Sequence, residues 1–385
     1  MDLELIYEST RLYNLSGRYI TNNHIEPYLS ALNKNCEFKN IGYSVNKLPI
    51  YSYKIGSGSI KILIWSQMHG NESTTTKAVI DFINFLNLNL ELSKSILNDF
   101  TFFCIPVLNP DGATLYTREN ANKIDLNRDF VNLSQPESNI LLNVFKEFKP
   151  DYCYNMHDQR TIFGIKSSMK PATVSFLAPS YNEERAFNEK RLKAANLIVA
   201  MNDCLQQYIP NQVGRFDDGF NISCVGDFFQ SLGVPTILFE AGHFQDDYNR
   251  ELTRKYIFGA LISGVIYLQK KSTFIAKIND YLNIPQNFPH FFDIIYRNVK
   301  ILEHNQEKII NFAVQFVEKL IYNTVEFDGI INKIEGLEEY FGHLEVDCNF
   351  ETYKDDSQNI PISGCKADFS IGNKKYINGL EVEII

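Results

Sequence analysis

His69 and Glu72 stand three residues apart in the stretch Ser66-Gln67-Met68-His69-Gly70-Asn71-Glu72-Ser73. They offer an imidazole and a carboxylate, both good zinc ligands, on one short loop. A lone His-x-x-Glu is more often an exposed loop histidine beside a helix-starting glutamate that the helix dipole favours. Further polar groups change that balance. Arg118 and Asn127-Arg128 lie in one long loop, and His157 and Glu240 each follow an apolar run. Two His and one Glu, with a fourth position open for water, make the ligand set of a catalytic zinc site, whereas a structural site closes all four positions. Glu240 would then take a proton from the activated water and return it to a leaving amine. Arg118 would polarise the substrate carbonyl and hold the oxyanion. Asn127 and Arg128 would grip a substrate carboxylate, Arg128 through its two-pronged fork.

These groups must be brought together by the elements that carry them. Ile62-Leu63-Ile64-Trp65 is a short apolar run with polar flanks and predicts a buried strand ending just before His69. Residues 74–90 then show helical spacing at Ala78, Val79, Phe82, Ile83, Phe85 and Leu86, with Ser73 or a nearby Thr placed to cap the start. Phe102–Val107, Asp151–Met156, Thr173–Leu177 and Pro235–Phe239 read as strands. Phe38–Ile55 reads as a hairpin, and 1–35, 138–148, 183–208 and 252–269 read as helical. Strands alternating with helices predict a mixed sheet between helix layers. Strand tips bearing polar groups are where such sheets put their ligand chemistry. Beyond Lys270 the pattern alternates more, which predicts a 1–270 catalytic domain and a small β-rich domain over 271–385 with one helix, near Gln306–Phe316.

Several pieces together carry a family resemblance: His69-Gly70-Asn71-Glu72, Asn109-Pro110-Asp111-Gly112, Arg118 ahead of Asp125-Leu126-Asn127-Arg128-Asp129-Phe130, and His157 and Glu240 after strands. The stretch from about 38 to 268 resembles the zinc carboxypeptidases of the carboxypeptidase A type. The resemblance implies an α/β fold with a mixed, mostly parallel sheet between helix layers. It implies one zinc ion per chain on His69, Glu72 and His157, with Arg118 and Glu240 catalytic and Asn127 and Arg128 clamping the substrate carboxylate. There are departures. The family's mobile Tyr, some twenty residues before the late Glu, has no counterpart in 214–221, and Gly226 stands at the selector position before Asp227-Phe228. Glu240-Ala241-Gly242 also resembles the related deacylases of N-acyl amino acids, although those usually lack Asn-Pro-Asp-Gly.

Composition bounds the alternatives. The chain has 385 residues, 44% hydrophobic and 22% charged, as expected of a globular protein with a sizeable core. A net charge of −9 argues against nucleic acid as a partner. No membrane-length apolar run or basic-apolar leader is visible, and seven scattered cysteines without a CxxC pattern fit reduced thiols, so the expected setting is cytoplasmic, with a peptide or N-acyl amino acid as substrate and no membrane partner. Blander readings stand beside the sharp ones. Arg128 could pair with Asp125 or Asp129. His243 could be structural. Arg160 could be solvated or line the substrate pocket. Asp217-Asp218 reads as an acidic loop rather than a second metal site, and Cys224 as a packing residue. His24, His290, His304 and His343 have no companions in sequence. A binding module that has lost catalysis is the reading outside enzymes.

Overall fold

The computed structural model describes residues 2–32, 36–270, 278–356 and 359–383. The chain forms two compact units. The first is Met1–Gln159 with Ala172–Asn287; the second is Arg160–Pro171 with Phe288–Ile385. The change of character expected at 271 falls on residues 271–277, outside the described residues.

The first unit is built on an eight-stranded mixed sheet. Its strands run in the order Cys36–Tyr43, Pro49–Gly56, Phe100–Ile105, Ile60–Ser66, Tyr152–Asp158, Thr236–Ala241, Val174–Leu177, Val213–Arg215. Phe100–Ile105, Ile60–Ser66, Tyr152–Asp158 and Thr236–Ala241 are mutually parallel, so their C-terminal ends share one edge. Alternation along Ile60–Ser66 explains why its sequence is apolar throughout. Ile62 and Ile64 join one core with Phe82, Phe85, Ile257 and Phe258, while Leu63 and Trp65 join another with Leu141, Phe145 and Phe229. A strand covered on both faces has no polar side to show.

Helix Thr74–Asn87 follows the loop that carries His69 and Glu72. Its cap differs from the sequence expectation. Ser73 already has near-helical backbone, φ −104° and ψ −8°, and its hydroxyl donates to the Arg18 carbonyl. A capping side chain needs non-helical backbone to reach back to the first amides. The carboxylate of Asp158 does that work instead, accepting from Thr74 N at 2.8 Å and Thr75 N at 3.1 Å. Helix Glu189–Leu205 starts later than the predicted 183, because Asn188 caps it by accepting from Arg191 N at 2.8 Å. Short helices at Glu91–Asp99, Pro110–Leu115, Val225–Ser231 and Ile278–Asn283 were too brief to show periodicity.

The second unit is β-rich. One four-stranded sheet runs Thr324–Ile334, Gln306–Ile321, Phe291–Glu303, Phe341–Asp347, and a smaller one joins Tyr353–Lys354, Phe369–Ile371, Lys374–Ile377 and Leu380–Val382. Residues from Arg160–Pro171 enter this unit as the short strands Phe163–Ile165, paired with Phe288–Pro289, and Lys170–Pro171, paired with Phe163–Ile165. The helix expected over Gln306–Phe316 is a strand, Gln306–Ile321. Ile310, Phe312 and Val314 send alternate side chains into one core, so period two outweighs the helical reading. Among the described residues, no helix is long and apolar enough to cross a membrane.

Candidate metal centre

The loop 67–73 leaves the end of Ile60–Ser66 and is pinned by the Asn109-Pro110-Asp111-Gly112 turn. Leu108 N donates to Ser66 O and Asn109 N to Gln67 O, each at 3.1 Å, while Asn109 Nδ2 donates to Met68 O at 3.1 Å. Gly70 lies so close that a Cβ there would stand 1.9 Å from the Gly112 carbonyl carbon. That close approach is a physical reason for glycine at 70, while a Cβ at Gly112 would stand 2.5 Å from Asn109 Nδ2 and 2.6 Å from the Glu119 carbonyl oxygen.

His157 is the sixth residue of Tyr152–Asp158, and Glu240 is its register partner on the neighbouring parallel strand. His69, Glu72 and His157 are all buried, and they are the group among the described residues whose donor atoms could hold a metal ion. His69 Nδ1 lies 2.8 Å from Glu72 Oε1, and His157 Nδ1 lies 2.8 Å from Glu72 Oε2. The two Nδ1 atoms are 3.1 Å apart. A tetrahedral ion with bonds near 2.0–2.1 Å has ligand-to-ligand edges of about 3.3 Å, so these donors are spaced to fit one with small outward shifts. Two imidazole nitrogens facing each other beside a carboxylate are what a shared cation satisfies, and the donor set fits zinc.

The far nitrogen of His69, Nε2, meets Asp125 Oδ1 at 2.9 Å. A carboxylate behind an imidazole fixes the ring and raises its basicity. Asp125 also receives Arg118, with Nε at 3.1 Å, and Arg118 Nη1 reaches Glu72 Oε1 at 3.2 Å. Electrostatics follow from burial and these neighbours. Burial pushes Glu72 up, but the His69 and His157 imidazoles outweigh it and hold the carboxyl well below its usual range. Burial pulls His69 down, and the Glu72 and Asp125 carboxylates more than reverse that. Burial prevails at His157 and lowers it, which favours the neutral ring that a metal needs. Burial, and then the Glu72 and Asp158 carboxylates, push Glu240 well above its usual value. Glu240 Oε2 and His157 Nε2 are buried without a hydrogen-bond partner.

The remaining predicted residues are placed as follows. Asn127 Oδ1 accepts from Val225 N at 3.1 Å and so holds the start of helix Val225–Ser231. Arg128 is exposed and donates to the Asn127 carbonyl at 2.8 Å; Asp125 and Asp129 are engaged elsewhere, Asp129 with Ser134 and Gln135. Asp218 is tied to Arg191 at 2.6 Å and Arg185 at 3.4 Å. Cys224 is pushed up to about 11, first by burial, and stays a neutral thiol. His243 is buried against Tyr248, and Arg160 belongs to the second unit. Sequence reasoning missed Asp125 and Asp158. The first had a signal, since it opens Asp-Leu-Asn-Arg; the second had none beyond following His157.

A zinc carboxypeptidase family model matches residues 25–161. Carboxypeptidase SOL1 of Arabidopsis thaliana is 28% identical over 165 residues, which cover 37% of this chain and 34% of that protein. Carboxypeptidase 2 of Trichophyton rubrum is 28% identical over 102 residues, 26% of this chain and 19% of that one. The matches thus span about a third or less of these curated relatives. Among solved structures, a metallo-carboxypeptidase from Burkholderia cenocepacia aligns with a TM-score of 0.52 at 16% identity, covering 65% of this chain and 69% of that one. The carboxypeptidase A of Helicoverpa armigera aligns at 0.53 and 14% identity, covering 70% and 80%. At such identities the likeness speaks for the fold, and the fold, the family match and the His-Glu-His group agree. Over residues 25–161, about a third of its length, this chain is thus similar to the zinc carboxypeptidase family.

Proposed function

We propose that this protein is a zinc-dependent metallocarboxypeptidase that hydrolyses the C-terminal peptide bond of a peptide substrate. The observation that carries this reading is the register of Glu240 with His157, which sets a carboxyl whose Oε2 is buried and unbonded beside the strand position of a predicted metal ligand. Zinc bound by those three residues supplies a Lewis acid that activates water and polarises the scissile carbonyl. Glu240, whose proton affinity is raised by burial, accepts a proton from the attacking water and delivers it to the leaving nitrogen. The Arg118 guanidinium, held by Asp125 and Glu72, meets the charge that develops on the carbonyl oxygen. Asn127 and Arg128 hold the terminal carboxylate of the substrate. Two observations support a peptide as substrate: the family match and the carboxypeptidase names of the curated relatives.

A second reading, a deacylase of N-acyl amino acids, is favoured by Glu240-Ala241-Gly242 and by the lack of a Tyr in 214–221. It predicts turnover of acyl amino acids and none of longer peptides. The direct test of the mechanism is Glu240→Gln. Zinc content should be unchanged while kcat falls by about 10²–10⁴, the usual contribution of a positioned acid–base group. Wild-type turnover in the zinc-loaded variant contradicts the assignment.

A further inference from the structure

The residue after His157 does more than end its strand. Asp158 is buried, and its carboxylate and its backbone N–H are both turned to the segment that carries Glu72. Its carboxylate accepts from Thr74 N at 2.8 Å, Thr75 N at 3.1 Å and the Thr75 hydroxyl at 3.3 Å, all at the start of the helix that follows Glu72. Its own backbone N–H donates to Glu72 Oε2 at 3.1 Å. Arg250 Nη1 stands 3.9 Å from the Asp158 carboxylate and donates to the Ala241 carbonyl, one residue past Glu240, at 2.7 Å. Three segments distant in sequence therefore meet at one buried side chain: the loop bearing His69 and Glu72, the strand bearing His157, and the strand bearing Glu240.

We infer that Asp158 is a positioning residue that sets the affinity of the metal centre, by locking the start of helix Thr74–Asn87 to the strand that carries His157. This rests on the zinc reading given above. The first amides of a helix have no partner within it, and satisfying them from 84 residues away fixes where the helix begins. Glu72 sits two residues before that helix, so its distance from His157 is set by the same lock. Without the carboxylate, Thr74 N and Thr75 N lose their buried acceptor, and the loop is free to settle at a spacing that no longer suits the ion. Partners that hold ligand-bearing groups in place typically change metal affinity by about 10–100-fold.

The test compares zinc affinity, by competition with a chromophoric chelator, and the rise in Tm on adding zinc to metal-free protein. It uses the full chain as wild type, Asp158→Ala, Asp158→Asn and Asn188→Ala. Asn188 caps helix Glu189–Leu205 and touches none of the three ligands, so its variant reports the loss of an ordinary cap. The expected result is a 10–100-fold loss of zinc affinity and a smaller zinc-dependent Tm rise in Asp158→Ala. Asp158→Asn, which keeps one acceptor, should fall between it and wild type. Asn188→Ala should lower Tm equally with and without zinc and keep wild-type affinity. Wild-type zinc affinity in the Asp158 variants overturns the inference, and Asp158→Asn decides alone if the alanine variant does not fold. A wild-type chain that takes up no zinc would instead overturn the metal reading itself.

Discussion

Arg128 donates one guanidinium N–H to the Asn127 carbonyl and makes no other hydrogen bond among the described residues, so most of its fork is open to a ligand. Hydrogen bonds to a charged group contribute about 1.5–3 kcal/mol, and each 1.4 kcal/mol is a factor of ten. Arg128→Ala should therefore raise KM for peptides with a free C-terminus by about 10–100-fold and leave zinc content unchanged. Steady-state kinetics with paired free and amidated peptides measure this; an unchanged KM removes Arg128 from substrate recognition. Asp227 carries a pH signature. Burial is the largest influence on it and pushes it up to about 7, against backbone hydrogen bonds from Asn221 and Ser180 that lower it. Its folded value thus lies above the unfolded one near 3.9, and between the two the folded state binds more protons. Stability is therefore greatest below the unfolded value and is lost as pH rises through about 7. Asp227→Asn should flatten that slope, so that its Tm exceeds wild type at pH 8 and approaches it at pH 5. Parallel Tm profiles for the two proteins would contradict this.

At the scale of elements, helix Thr74–Asn87 is also tied to helix Glu251–Gln269 by a fully buried ion pair. Arg254 Nε and Nη2 each reach an Asp81 oxygen at 2.6 Å. Removing one member of a buried pair costs up to about 3–5 kcal/mol, here with Arg254 Nη1 keeping Glu251 Oε2 at 3.0 Å. Asp81→Ala should lose stability on that order in urea unfolding, and a loss under 1 kcal/mol would show that the pair is not what joins the helices. The helix itself was legible, because Ala78, Val79, Phe82, Ile83 and Phe85 recur at helical spacing and all are buried. Its cap was not legible, because Asp158 reaches it across 84 residues and sequence signals for caps are local. Gln306–Ile321 misled for a different reason. Ile309, Ile310, Ala313 and Val314 happen to fall at helical spacing, and only the pairing with Phe291–Glu303 and Thr324–Ile334 reveals the two-residue period.

At the scale of the whole molecule, the candidate site was more legible than the architecture around it. His69 and Glu72 follow an apolar strand, His157 and Glu240 each stand next to the last residue of theirs, and four parallel strands end on one edge, so local pattern and long-range geometry point the same way. The second unit shows the opposite case. Its alternation announced strands, but the inclusion of Arg160–Pro171 depends on pairing with Phe288–Pro289 more than a hundred residues on, which no local pattern encodes. The family match ends at residue 161, so beyond it Glu240 rests on its place after an apolar run in the sequence and on the sheet register with His157.

The measurement that bears most directly on the central claim is a mass-spectrometric time course with zinc-loaded protein. The substrate pool holds peptides with free C-termini, the same peptides amidated, and N-acyl amino acids. The account predicts single-residue loss from the free-ended peptides, with the amidated ones and the acyl amino acids intact. Turnover of the acyl amino acids alone would contradict it and assign the chain to deacylation, and equal cleavage of amidated peptides would contradict the carboxylate clamp at Asn127 and Arg128.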